Sequence, residues 1–166
     1  MKKDRLDIKK IKVISLQFFL GREALANLVE SKSFSRQYPL DAAVLFRVFT
    51  NQGTLEVSTE KGFFFDGRSG TPLVDFYAPN LGTLNERASW LAHDVNGYAL
   101  DLSFKDTNIL LFAMLRDCCG YRKTKASFIR WVVGLSDSWY GTPKKGDPYY
   151  KNIDKVHAKW IPSPTK

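Results

Sequence analysis

The sequence predicts an α+β domain: short antiparallel strands, then two antiparallel helices, with basic N- and C-terminal arms. Three observations lead there. Between residues 43 and 65, apolar and polar side chains alternate in short runs broken by turn-forming residues, the period of a half-buried strand. From residue 83 onward, apolar residues recur three and four apart, the period of a helix packed on one face. Between the two regimes lies DGRSGTP at 66–72, a loop by composition.

Taken in order, IKVISLQF at 11–18 partly alternates and reads as a strand. GREALANLVESKSF at 21–34 places Leu25, Leu28 and Val29 at helical spacing. AVLFRVF, TLEVS and FFF are strands, separated by NQG and TEKG turns. Thr83 and Glu86 form a capping box ahead of Leu84, Ala88, Leu91 and Val95, which predicts a helix over about 84–97, ended or bent at Gly97. Ser103 and Asp106 mark a second start. Ile109, Leu110, Ala113 and Met114 share one stripe, and Gly120 is a natural stop, so a helix is expected over about 104–119. SFIRWVVGL at 127–135 is a third apolar segment. The expected organisation is a basic N-terminal arm with a short helix at 1–42, the α+β domain at 43–140, and a basic Pro/Gly/Lys-rich tail at 141–166.

The chain has 166 residues, enough for one domain that builds its core without metals or disulfides. No apolar run reaches the ~18 residues of a membrane-spanning helix. The opening MKKDRLDIKK mixes acids with bases and leads into no clean apolar stretch, so no secretion signal is expected. Cys118 and Cys119 are adjacent and cannot staple distant segments, which points to reduced thiols and synthesis in a reducing cytoplasm.

The net charge of +8 is divided unevenly. Residues 1–36 hold nine bases and four acids, net +5. Residues 37–115 hold five bases and nine acids, net −4, and residues 116–166 hold eleven bases and four acids, net +7. Basic ends suit contacts with other proteins, with copies of the chain, or with an acidic lipid surface. Nucleic-acid binding trails these, because a nucleic-acid domain normally carries its bases on the folded core.

The acidic middle contains the candidate chemistry in a fixed order: Asp66 and Ser69 in the loop, His93 and Asp94 on the first helix, Asp106 near the start of the second. On a helical wheel Asp106 lies within about 60° of Ile109, Leu110 and Ala113, so its carboxylate needs a partner. A histidine on the neighbouring helix is one partner, and the backbone of a Ser103 capping box is the other. His93 falls about 180° from the apolar stripe of its helix. It faces solvent, or else the helix is packed on two sides, as Trp90 and Gly97 on that side suggest. Ser69 is a rival nucleophile, although no Gly-x-Ser-x-Gly elbow surrounds it. His157 lies in the expected tail, away from this group.

The stretch LFRVFTNQGTLEVSTEKGFFFDGRSGTP, with ASWLAHDVNGY and SFKDTNILLFAML after it, resembles the uncharacterised phage and prophage family known as domain of unknown function 1353, over roughly residues 43–140. The same order of groups resembles the short bacterial and fungal phospholipases A2, in which an Asp-bearing loop precedes a His-Asp-x-Gly-Tyr helix and an antiparallel helix carrying an Asp. Here the motif is His-Asp-Val-Asn-Gly-Tyr, one residue longer, which shifts Tyr98 around the helix. The resemblance implies calcium as cofactor, with Asp66, the Gly67 carbonyl and Asp94 as its ligands. It implies His93 as general base and Asp106 as the residue that orients it. The expected function is a phage-associated, phospholipase-A2-like ester hydrolase carried in the virion. The alternatives are a non-catalytic virion, tail or assembly protein and, second, a nucleic-acid-binding accessory protein.

Overall fold

The computed structural model describes residues 6–29, 38–65, 81–99, 101–140 and 154–164, with residues 65 and 136–140 described by backbone alone. Four strands, β1 (Val13–Leu20), β3 (Val44–Thr50), β4 (Gly53–Thr59) and β6 (Val156–Pro162), form an antiparallel sheet in the order β1-β3-β4-β6. Two short strands, β2 (Tyr38–Pro39) and β5 (Phe64–Phe65), pair separately. The helices are α1 (Arg22–Ala26), α2 (Leu84–Ala99), α3 (Phe104–Asp117) and α4 (Lys123–Tyr140). This is the α+β architecture that the change of period predicts.

The β3–β4 hairpin follows from alternation. Val44, Phe46 and Val48 point inward from β3, and Leu55 and Val57 from β4, all essentially unexposed. Burying such a side chain contributes about 1.5–3 kcal/mol, so a one-residue slip of register would forfeit the whole set. At the turn, Thr50 Oγ1 donates to the Gly53 carbonyl and accepts from the Gln52 and Gly53 amides. Gly53 has a second reason to lack a side chain: a Cβ there would stand 2.4 Å from the Trp160 ring.

The described parts of both expected arms, residues 6–29 and 38–42 and residues 154–164, belong to the folded unit. The N-terminal segment buries Leu6 and Ile11, and β1 pairs with β3. The NQG turn holds it through side chains. Asn51 accepts from the Lys12 amide at 2.8 Å and donates to the Lys10 carbonyl at 2.9 Å, while Gln52 brackets the backbone of Asp7. The expected C-terminal tail is corrected in the same way. Residues 156–162 form β6, in register with all of β4. Val156 and Trp160 face the core, while His157, Lys159 and Ile161 face outward. Abundant Lys and Pro obscured a period-2 pattern that spans only seven residues. Pro162 ends the strand at a sheet edge, where a missing N–H is tolerated.

The helical segment at 21–34 is shorter than its spacing suggests. α1 stops at Ala26, and Val29 is 81% exposed and so no part of a core stripe. Arg87 of α2 donates to the carbonyls of Leu25, Ala26 and Leu28, which satisfies groups that a longer helix would have satisfied itself. The Thr83/Glu86 capping box is present: the Glu86 amide donates to Thr83 Oγ1, and the Thr83 amide donates to Glu86 Oε2. Gly82, at φ +65°, gives that carboxylate room, since a Cβ would lie 2.0 Å from Oε2. Gly97 does not end α2, which runs on to Ala99. Gly120 does lie in the stop after α3, at φ +70°, where the Tyr121 amide donates to the Leu115 carbonyl.

α3 is the centre of the helical layer. Ten consecutive residues, Asp106 to Leu115, are buried. A helix buried all round must meet a neighbour on every side. α2 and α4 pack against α3, with the N-terminal segment and β1 on a further side.

Candidate functional site

The site lies where α2 meets α3. On α2, Trp90, Leu91, His93, Val95 and Asn96 are all buried, so the helix is packed on two sides and His93 does not face solvent. The His93 ring stands edge-on to Trp90, with ring centres 6.3 Å apart. Its Nε2 lies 2.9 Å from Asn108 Oδ1 of α3, and its Nδ1 lies 3.5 Å from Asp94 Oδ1.

This corrects the expected partner of His93. Asp106 is fully buried, but its Oδ1 accepts the Leu6 amide at 3.0 Å. Its own amide donates to Ser103 Oγ, so the helix-start reading of Ser103 and Asp106 is met in the structure. Two residues along a helix turn about 200°, which explains the exchange: the Asp106 side of α3 meets the N-terminal segment and the Asn108 side meets α2. The buried carboxylate does find a partner, and that partner is a backbone amide.

One turn beyond His93, Asn96 continues the polar seam. Its Oδ1 accepts the Leu102 amide at 3.1 Å, and its Nδ2 donates to Thr107 Oγ1, which donates in turn to the Ser103 carbonyl at 2.9 Å. The loop between α2 and α3 is thereby fixed, and with it the alignment of His93 and Asn108. A buried amide left without partners costs about 1–3 kcal/mol, so the seam specifies which residues face each other.

The tautomer follows from the partners. Asn108 Oδ1 is an acceptor, so Nε2 carries the hydrogen and Nδ1 presents its lone pair. Nδ1 then stands 3.5 Å from Asp94 Oδ1, a long contact between the ring and the carboxylate. Asp94 is the more open of the pair, with a side chain 14% exposed against 9% for His93.

Of the other expected site residues, Asp66, Gly67 and Ser69 lie outside the described residues. Tyr98 packs edge-on to Phe63, with ring centres 6.2 Å apart. His157 sits on the outward face of β6, opposite Ser58. Among the described residues no three His, Cys, Asp or Glu side chains converge on one point. The carboxylate recorded beside the His93 ring is that of Asp94.

The cysteines sit at the C-terminal end of α3 as free thiols. Burial pushes the Cys119 thiol up to about 12, against a hydrogen bond with Ser89 that pulls it down, and burial raises Cys118 as well. Neither thiol is suited to act as a nucleophile.

Asn108 is the site residue that sequence reasoning missed. Its signal was present in SFKDTNILLF, where Thr107 and Asn108 interrupt an otherwise apolar helix. No helix of the described residues is long and apolar enough to cross a membrane. Comparison of the chain with protein-family models, with curated proteins and with solved structures finds no match.

Proposed function

We propose that the chain is a phage-associated ester hydrolase of phospholipase-A2-like type, made in the host cytoplasm and carried in the virion, with His93 as its general base. The observation that supports this most directly is the tethering of one imidazole nitrogen across the helix pair. Asn108 holds Nε2 at 2.9 Å and leaves Nδ1 beside the Asp94 carboxylate. A base must be held in one tautomer and orientation before it can take a proton from water, and an asparagine carbonyl can do this as well as a carboxylate. Nδ1 accepts the proton of the attacking water, and the carboxylate of Asp94 favours the positive charge that then forms on the ring. Calcium, held by Asp94 with the oxygens of Asp66 and Gly67, would polarise the ester carbonyl. Asp106 acts at a distance from the chemistry, holding the N-terminal segment to α3.

The test is hydrolysis of a fluorogenic phospholipid and a short-chain ester, with calcium or with chelator. Turnover that needs calcium and falls about 10²- to 10⁴-fold in His93→Gln supports the reading. Absence of turnover in every condition, with no calcium uptake by calorimetry, overturns it.

A second reading, a non-catalytic virion, tail or assembly protein, is favoured by the burial of His93, which is 9% exposed. In that case the histidine only completes the polar seam. His93→Gln would then lower thermal stability while leaving co-sedimentation with the virion unchanged.

A further inference from the structure

Among the described residues, the helices pack on the inner side of the four-stranded sheet, against Val44, Phe46, Val48, Leu55 and Val57. On the other, Arg47 and Glu56 keep side-chain exposures of 42% and 32%, so that face is open to solvent. Register gives its pattern. The middle row reads Gln17, Arg47, Glu56, Lys159 across β1, β3, β4 and β6. On one side of it lies the row Ser15, Phe49, Thr54, Ile161, and on the other Leu20, Leu45, Ser58, His157. Phe19, Leu20 and Ile161 are 48%, 54% and 45% exposed, and the Arg47 guanidinium stacks 5.1 Å above the Phe19 ring.

We propose that two copies of the chain pack these faces together about a two-fold axis running along the strands between β3 and β4. The face is complementary to itself under that rotation and under no simple charge rule for another partner, since it carries both signs. The rotation reverses each row over its copy. Arg47 falls opposite Glu56 and Glu56 opposite Arg47, while Gln17 falls opposite Lys159. Phe49 falls over Thr54, Ile161 over Ser15 and Leu45 over Ser58, a large side chain against a small one in each case, while Leu20 falls over His157. Aligned sheets pack in this way about 10 Å apart. Four strands at about 4.8 Å and seven residues at about 3.4 Å give a footprint of roughly 19 by 24 Å, which suits a reversible dimer rather than an obligate one. A two-fold contact uses the same patch on both copies, as this one does.

Sedimentation velocity from micromolar to millimolar protein tests the proposal, with circular dichroism to establish that each variant is folded. The wild-type chain should dimerise reversibly and Phe49→Asp should remain a monomer. Arg47→Glu and Glu56→Arg should each weaken association at least about tenfold, because like charges then face each other. An equimolar mixture of those two variants should recover the dimer, because every facing pair is again of opposite sign. A wild-type monomer throughout, association unchanged in Phe49→Asp, or a mixture no stronger than either variant alone would overturn it.

Discussion

The sheet core and the α2–α3 seam are both buried, yet they are built from different chemistry. The inner side of β3 and β4 is Val44, Phe46, Val48, Leu55 and Val57, with no polar side chain until Thr50 and Thr59 at the strand ends. The seam sets His93 and Asn96 against Asn108 and Thr107, and each of the four is hydrogen-bonded across or along it. Apolar burial is non-directional, so the sheet core tolerates exchange among side chains of similar volume. A polar seam works only when particular atoms meet. The sheet supplies stability and the seam supplies specificity, and a candidate site arises in the second.

Breaking the apolar side should have the largest effect. Phe46→Ala removes a fully buried ring and is expected to cost about 3–5 kcal/mol in urea denaturation. Trp160→Ala tests whether β6 belongs to the same core: about 3 kcal/mol is expected, whereas a tail residue would change almost nothing. Asn96→Ala attacks the seam, leaving the Leu102 amide and Thr107 hydroxyl short of partners, and should cost about 1–3 kcal/mol.

These regions also differ in how far the sequence revealed them. Alternation in AVLFRVF and TLEVS is a property of each segment alone, and the hairpin was legible from it. So was the start of α2, because a capping box is local. β6 was missed: its seven residues gain a strand's identity only by pairing with β4, and its Lys and Pro content argued for a tail. In the site, the general placement of His93 on one helix against a polar residue of the next was legible. The identity of that residue was not, because choosing Asn108 over Asp106 depends on which side of α3 faces α2. A periodic stripe cannot decide that for a helix buried all round. The claim of Asp106 on His93 yielded to a segment one hundred positions away in sequence, the amide of Leu6.

A smaller effect sharpens the comparison at the edge of the two regions. Asp117, at the end of α3, accepts the Val13 amide at 2.8 Å and pairs with Arg116, whose guanidinium also donates to the Ile11 carbonyl. Burial alone would raise the Asp117 carboxyl, but Arg116, the Val13 amide and the nearby Lys12 outweigh it and hold the group below its ordinary value. A carboxylate depressed in the folded state stabilises the fold above the ordinary carboxylate range, and that contribution is lost as pH falls through the depressed value. Asp117→Asn should therefore be less stable than wild type near pH 7. The gap should close as pH falls below the ordinary carboxylate range, as measured by denaturant unfolding at each pH.

The central claim is that His93 is held by Asn108 and not by Asp106, and a pair of double-mutant cycles tests it most directly. His93→Ala, Asn108→Ala and Asp106→Ala, with the two doubles that contain His93→Ala, would be unfolded in urea and their free energies compared. The account predicts a coupling of about 1 kcal/mol between His93 and Asn108 and, between His93 and Asp106, additivity within about 0.5 kcal/mol. Coupling concentrated in the His93–Asp106 pair, with additivity for Asn108, would contradict it.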